Sequence, residues 1–531
     1  MLFLIGFMAA GKTSVGRALA ARSSRRFVDL DDVIDTGGES VAQLVARDEP
    51  EFRRREAAAL AKAIASAGDD DVVIATGGGA ATHGDNLARM RAAGFVVALG
   101  VDVAEARRRA DGGPPRPLLA YAEEVAATRA PVYRRAHACI DTTGRVLDDV
   151  VDHVAAAEHT WRALPPERRD ATIVALGDRT YPVCVSDALD GELVRAHLPR
   201  RAALITDDTV AKLWMAQTTA ALGIALDIIT VAPGEASKSL RTYQRVCEEL
   251  IARGIDRGCA IVALGGGVVG DLAGFVAATL FRGIPVVQIP TTLVAMTDAA
   301  IGGKTAVDLP AGKNLIGAFH QPRLVACALE TLATLPDRER RAGFGELWKY
   351  ALLDGDDMWR AVDACAAWSA AGGAPPGELA GVIARAIAYK AAIVSRDERE
   401  QTGHRALLNL GHTIGHAIES ASSDAAHAEH HLLHGEAVAL GLIAACRVAR
   451  HLAGSDSQDL EPRVREALRR SGLSDDLDRW LTDAVLARVS VDKKRVGATI
   501  RFIVPRGVGA CEPVEVGATE LQRILRSDSH A

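Results

Sequence analysis

The residues Gly6-Phe7-Met8-Ala9-Ala10-Gly11-Lys12-Thr13 fit the pattern GxxxxGK[ST]. They stand between an apolar run, Leu2–Ile5, and a helical stretch, Thr13–Arg22. This junction constrains the fold more than any other feature of the chain. A glycine-rich turn between a buried strand and a helix N-terminus belongs to a parallel sheet wrapped by helices, where backbone N–H groups can cradle phosphate oxygens. In such a loop Lys12 reaches the β and γ phosphates of ATP and Thr13 offers its hydroxyl to Mg2+, with Gly6, Ala9, Ala10, Gly11 and Ser14 against the nucleotide. Further apolar runs at Val72–Ala75 and Phe95–Leu99 continue the α/β alternation. The apolar Met1–Ala10 lacks the basic n-region of a signal peptide and ends at once in Gly11-Lys12-Thr13, so a buried first strand is expected.

An alanine-rich helix is predicted over Val146–Ala157, and then Trp161-Arg162-Ala163-Leu164-Pro165-Pro166-Glu167-Arg168-Arg169-Asp170 breaks the pattern as a linker. A second α/β run follows, with strands expected at Ile173–Leu176, Ala203–Thr206, Ile228–Val231, Ala260–Leu264 and Val286–Ile289. Beyond Leu329 the spacing turns helical. The expected organisation is a P-loop kinase-type α/β domain (parallel sheet with helices on both faces) over 1–158 and a linker over 159–170. A Rossmann-like α/β domain over 171–329 and a mostly α-helical domain over 330–531 follow. The net charge of −6 supplies no global basic field for nucleic acid or an anionic membrane, and no apolar run is long enough to span a bilayer. Eight cysteines without a CxxC pair indicate neither a zinc ribbon nor a disulfide framework and fit a reducing cytoplasm.

The first half carries more than a nucleotide loop. Phe27-Val28-Asp29-Leu30-Asp31 places two carboxylates at alternate positions leaving a strand, where both point the same way. Glu51-Phe52-Arg53-Arg54-Arg55-Glu56 lies on a predicted helix, and Thr76-Gly77-Gly78-Gly79-Ala80 follows a strand. Arg116-Pro117-Leu118-Leu119 and Arg129-Ala130-Pro131-Val132-Tyr133-Arg134 complete the series. This order resembles shikimate kinase. The resemblance implies transfer of the ATP γ-phosphoryl to the 3-hydroxyl of shikimate. It makes Asp31 the group that binds the shikimate hydroxyls and positions the nucleophile, with Arg53 and Arg134 on the carboxylate and Gly77, Gly78 and Gly79 against the ring. Arg116 belongs on a lid reaching both substrates, Arg109 beside the adenine, and Asp29 with Thr13 at the Mg2+. Arginine suits these roles because its fork binds both oxygens of a carboxylate. Ala9 stands where that family usually has glycine; its methyl is tolerable if φ stays negative.

In the second half Gly265-Gly266-Gly267-Val268-Val269-Gly270-Asp271 directly follows a predicted strand and contains GxGxxG, a moderate dinucleotide signal in that context. His412 and His416, four apart, share one helix face. With Glu346 upstream and a histidine downstream they make a plausible metal set. Thr413 stands where a zincin peptidase needs glutamate. Spacing alone does not choose among His427, His430, His431 and His434.

This half resembles 3-dehydroquinate synthase, most specifically in Pro290-Thr291-Thr292-Leu293 through Asp298, Ile301-Gly302-Gly303-Lys304-Thr305 and Gly312-Lys313-Asn314-Leu315-Ile316-Gly317. The resemblance selects His434 as the third ligand, with Glu346 and His412, of Zn2+ or Co2+. It implies conversion of 3-deoxy-D-arabino-heptulosonate 7-phosphate to 3-dehydroquinate and phosphate, with NAD+ oxidising C4 and later returning the hydride. Arg282, Lys304, Asn314, Lys349, Lys390, Arg405, Asn409 and His416 then surround the substrate, and Lys304, Lys349, Lys390, Arg405 and His416 act in catalysis. Asp207, Glu235, Lys238, Gly266, Gly267, Asp271, Thr291, Thr292, Asp298, Lys304, Lys313, Thr331 and Thr334 line the NAD site. A homodimer through this half is expected. Gln401-Thr402-Gly403-His404 is about one residue longer than expected before Arg405, which a small bulge absorbs.

Overall fold

The computed structural model describes residues 1–68, 70–111, 117–423, 431–453, 459–491 and 499–527. The chain divides into two compact units, Met1–Cys184 with Ala391–Arg396, and Val185–Lys390 with Asp397–Ala531.

The first unit contains β1 (Leu2–Gly6), β2 (Arg26–Asp29), β3 (Val72–Ala75), β4 (Phe95–Gly100), β5 (Ala138–Asp141), β6 (Thr172–Val174) and β7 (Tyr181–Ser186), in the sheet order β2-β3-β1-β4-β5-β6-β7. The first five strands are parallel, with Leu2 opposite both Val73 and Phe95. Every residue of β1 is buried, as its unbroken apolar run requires of a strand covered on both faces. Because β1 lies between β3 and β4, the loops leaving β1 and β3 emerge side by side at the carboxyl edge of the sheet, where such folds bind ligands.

The stretch read as a linker is ordered here. The helix Leu147–Arg162 runs into it, a 3-10 turn covers Pro166–Arg168, and the Trp161 indole donates to the Arg169 carbonyl at 2.7 Å. β6 then joins β5 in parallel at Ala138↔Ile173, and β7 returns antiparallel to β6. The strand that opens the second α/β run in the sequence thus extends the first unit's sheet.

The second unit contains β8 (Ala202–Asp207), β9 (Leu226–Val231), β10 (Ala260–Gly265), β11 (Val286–Pro290), β12 (Lys304–Leu309), β13 (Gly312–Phe319), β14 (Leu324–Ala328), β15 (Thr499–Gly507) and β16 (Ala510–Gly517). Strands β14-β11-β10-β8-β9 form a parallel sheet. β12 and β13 form one antiparallel hairpin, and β15 and β16 another. The sequence reading anticipated neither hairpin: β13 is too polar and glycine-rich for a strand by composition, and β15–β16 lies within a region of helical texture. The helical region itself is as expected, from Asp337–Asp354 to Ala518–Ser527. Among the described residues no helix is long and apolar enough to cross a membrane.

Candidate active sites

In the first unit Gly11, at φ +91°, opens the helix Lys12–Arg22. The Lys12 ammonium donates to the carbonyls of Gly6 and Phe7 at 3.0 and 2.9 Å, inside the loop that the sequence assigns to phosphates. Thr13 Oγ1 donates to Asp29 Oδ2 at 2.7 Å, so hydroxyl and carboxylate stand together as hydrated Mg2+ requires. Arg109 is anchored on Thr142 at 2.9 and 2.6 Å, with one guanidinium nitrogen 3.5 Å from the Ala9 carbonyl, and so borders the loop. Ala9 itself has φ +58°, not the negative φ that its methyl prefers. The turn demands a left-handed residue at this position, and alanine adopts it at a cost of about 1–2 kcal/mol.

Around the loop after β3 three site side chains press on glycines. A Cβ on Gly77 would stand 2.4 Å from Glu56 Oε1 and 3.1 Å from Asp31 Oδ1; one on Gly79 would stand 2.4 Å from the Arg53 guanidinium. Arg53 pairs with the wholly buried Glu56 at 2.7 Å. Burial, then the neighbouring Asp29, raise the Asp31 pKa, and Lys12 opposes them. Burial likewise raises Glu56 against the pull of Arg53.

Glu56 was not singled out as a site residue in the sequence, although its i+3 spacing from Arg53 on one helix carried the signal. The second arginine also changes. Arg129, not Arg134, faces this loop: its Nη1 lies 3.4 Å from a Cβ placed on Gly78, and its charge acts on Glu56 and on Tyr133, whose hydroxyl donates to the Gly78 carbonyl. Five residues turn a helix by about 500°, so Arg134 lies on another face and its charge reaches Cys139 instead. Arg116 lies outside the described residues.

In the second unit three helices, Asp337–Asp354, His412–Ser422 and His434–Ala453, approach at backbone contact. A Cβ on Gly345 would meet the Gly435 carbonyl oxygen at 2.0 Å, and one on Gly435 the Ala342 carbonyl oxygen at 1.8 Å. That closeness brings Glu346 Oε1 to 3.2 Å from His434 Nε2 and 3.4 Å from His412 Nε2. His412, His416 and His434 present nitrogen atoms within 4.8 Å of one another. A buried carboxylate facing two imidazoles, with a third alongside, fits a divalent ion such as Zn2+ or Co2+. His427 and His430 lie outside the described residues, and His431 turns to Ser423 at 3.1 Å.

Beside this cradle runs a line of buried charges. Lys349 is wholly buried, 2.5 Å from Glu346 and 3.8 Å from Asp298; Lys390 donates to Asp298 at 2.6 Å. Asp298 is partly buried, and burial works to raise its pKa, yet Lys390 and Lys349 hold it well below the ordinary range. Burial brings Lys390 down to about 8 despite Asp298, with Arg405 adding to the fall. Burial and Lys349 hold His412 at about 3, as a neutral ligand must be. The Arg405 guanidinium donates to the Glu398 carbonyl at 2.7 Å. The lengthened segment before it is pinned by Asp397, which accepts from the N–H groups of Gln401, Thr402 and Arg405.

Models of known families match both units. The shikimate kinase model covers residues 8–157; the 3-dehydroquinate synthase N-terminal and C-terminal models cover 228–342 and 343–495. The chain belongs to the 3-dehydroquinate synthase family, with a shikimate kinase joined ahead of it. The 3-dehydroquinate synthase of Symbiobacterium thermophilum is 45% identical over 339 residues, covering 62% of this chain and 92% of that protein. That of Caulobacter vibrioides is 45% identical over 352 residues, covering 63% and 92%. Among solved structures, 2-deoxy-scyllo-inosose synthase with carbaglucose-6-phosphate, NAD+ and Co2+ is 28% identical with a TM-score of 0.60, covering 67% of this chain and 99% of that one. The 2-epi-5-epi-valiolone synthase of Streptomyces hygroscopicus, with NAD+ and Zn2+, is also 28% identical, with a TM-score of 0.56, covering 65% and 95%.

The other residues assigned to the synthase divide into two groups. Lys238 pairs with Asp271 at 2.5 Å and lies 3.9 Å from Glu235, joining the turn after β9 to the helix after β10. Gly266 caps the helix after β10, a Cβ there would stand 3.2 Å from Thr292, and Thr291 donates its N–H to Gly265. Asp207 caps the turn after β8 through the N–H groups of Thr209 and Val210, while Thr334 accepts from the Trp214 indole and donates to Thr331. Lys304, Asn314, Asn409, His416 and Arg282 are exposed. Lys304 pairs with Glu400 at 2.6 Å. Arg282, at φ +70°, lies on the turn Leu280–Arg282, and among the described residues no hydrogen bond or ion pair ties it to the cluster.

Proposed function

We propose that the synthase unit converts 3-deoxy-D-arabino-heptulosonate 7-phosphate to 3-dehydroquinate and phosphate with catalytic NAD+ and Zn2+ or Co2+. The kinase unit converts shikimate and Mg·ATP to shikimate 3-phosphate and ADP. The observation that carries the synthase reading is the buried cradle of Glu346, His412 and His434 against the ion chain Lys349–Asp298–Lys390. A divalent ion there polarises adjacent hydroxyls of a polyol and eases loss of a proton, and NAD+ accepts and returns a hydride. The chain's own groups orient the substrate: Lys390 and Arg405 suit its carboxylate, and Lys304, Asn314 and His416 lie exposed where a phosphate can reach them. The likeness to other sugar-phosphate cyclases with NAD+ and Co2+ or Zn2+ supports the cofactors, and the 45% identity to 3-dehydroquinate synthases favours this substrate over theirs.

In the kinase unit Arg53 and Arg129 suit the shikimate carboxylate, and Asp31 suits the attacking hydroxyl. Phosphoryl transfer asks mainly for such positioning and charge neutralisation. The reading includes a cytoplasmic homodimer formed through the synthase unit.

Two assays on one purified sample test it. Phosphate release from the heptulosonate phosphate is followed with NAD+ and Zn2+, then after chelation of the transition metal; ADP formation is followed with shikimate and Mg·ATP. Both reactions should proceed, and chelation should stop only the first. Absence of phosphate release from metal-replete protein overturns the synthase substrate, and ADP formation indifferent to shikimate overturns the kinase reading.

A further inference from the structure

One buried carboxylate lies outside every role assigned so far. Glu419, on the helix His412–Ser422, has a side chain only 8% exposed and uses its two oxygens in opposite directions. Oε2 stands 3.2 Å from His434 Nδ1, the ring nitrogen turned away from Glu346. Oε1 accepts from Lys313 Nζ at 2.7 Å. Lys313 comes from β13, and its ammonium also faces Glu235, 3.8 Å away on the turn after β9. From there the line continues through Lys238 to Asp271 on the helix after β10. Charges of alternating sign therefore run from Asp271 through Lys238, Glu235 and Lys313 to Glu419, which meets the His434 imidazole beside Glu346. One end lies in the loops read as the dinucleotide site, and the other end is the metal cradle.

We propose that Glu419 is a positioning residue that couples dinucleotide binding to metal binding, by holding His434 with one oxygen and Lys313 with the other. This rests on reading the two ends as NAD+ and metal sites. A metal-binding imidazole is fixed by the acceptor on its other nitrogen. Once His434 is fixed, Glu419 is fixed, and its second oxygen holds Lys313 against the dinucleotide loops. Each ligand thus pays part of the ordering of the other's site, and linkage makes the effect reciprocal.

The test uses the full chain stripped of metal and nucleotide. The dissociation constant of Zn2+ is measured by competition with a chromophoric chelator, without NAD+ and with saturating NAD+. That of NAD+ is measured by calorimetry, with and without Zn2+. In the parent protein each ligand should tighten the other by the same factor, at least about fivefold. Glu419→Gln, equal in shape but uncharged, should weaken Zn2+ by about 10–100-fold and bring the factor to one. Lys313→Met should also bring it to one, and its effect on Zn2+ affinity should vanish in the Glu419→Gln background. If Glu419→Gln does not fold, by circular dichroism, Lys313→Met carries the test alone. Zn2+ and NAD+ both binding the parent with a factor of one overturns the coupling and leaves the site reading standing. An unchanged factor in either folded variant does the same. Failure of the parent to bind Zn2+ or NAD+ at all overturns the site reading and the coupling together.

Discussion

The P-loop groups of the kinase unit are held by strand ends and turns, whereas the metal cradle of the synthase unit is held by helices. Around the P-loop, Lys12 is satisfied by carbonyls of its own turn, Thr13 by Asp29 and Arg109 by Thr142, all at or near strand ends. Of the described charges there, only Glu56 is wholly buried. In the synthase unit Glu346 and Lys349 are wholly buried, and Lys390, Arg405 and His412 nearly so, each beside a group of opposite charge or a backbone acceptor. The difference matches the chemistry proposed for each unit. Phosphoryl transfer needs backbone donors and mobile cations around a ligand that brings its own charge. Oxidation and elimination need charges aimed before the substrate arrives, and only a dry, paired interior keeps them aimed.

The sharpest way to break this comparison is Lys12→Ala. It should cut ADP formation roughly 10³-fold, as loss of one preorganised charge does. Phosphate release from the heptulosonate phosphate should stay unchanged; a matching loss there would mean that the units do not act separately.

Asp298→Asn probes the opposite claim, that the synthase charges work only as paired. Lys390 and Lys349 lose their shared counter-ion, so kcat should fall on the order of 10²-fold through misplacement. Denaturant unfolding of the synthase unit should report a loss of about 3–5 kcal/mol, because the buried Lys390 ammonium remains without its carboxylate while Lys349 keeps Glu346.

A finer distinction comes from pH. Lys390 titrates at about 8, so its grip on a carboxylate should weaken as pH rises through 8, giving an alkaline limb in the synthase kcat/KM that Lys390→Met removes. The sign for stability is the reverse. A lysine whose folded pKa lies below its unfolded value of 10.5 opposes folding at pH below about 8, and this opposition is relieved as pH climbs from 8 toward 10.5. Asp31 acts the other way on the kinase: its raised pKa places the acid limb of kcat/KM above the ordinary aspartate range.

The smallest effect is expected at Ala9. Ala9→Gly should stabilise the kinase unit by roughly 1 kcal/mol in urea unfolding, less than the full strain because glycine also loosens the unfolded chain. An unchanged midpoint would show that the loop relaxes around the methyl.

Contiguous motifs were the legible part of this protein. Gly6–Thr13, the Gly-Gly-Gly turns and the His412/His416 pair each act through neighbours along one strand–turn–helix, so their spacing carries their geometry. The alternation of apolar runs likewise announced both parallel sheets, because strands buried on both faces have no polar alternative. The resemblance names Arg134, whereas Arg129 faces the glycine loop; both lie in one cationic stretch, and only the helix phase separates them. Glu56 and Glu419 look in sequence like solvated helix carboxylates. β13 was missed because it is mostly exposed, polar and glycine-rich, and its identity as a strand comes from pairing with β12. By itself, then, the sequence determined the alternation of the elements and the two enzyme families, since these depend on local periodicity and on contiguous motifs. The tertiary structure decided which charges are buried and with whom they pair. Glu346, Glu419 and Lys313 lie on separate elements of the chain, and only the close helix approach at Gly345 and Gly435 and the β12–β13 pairing carry them within reach of one another.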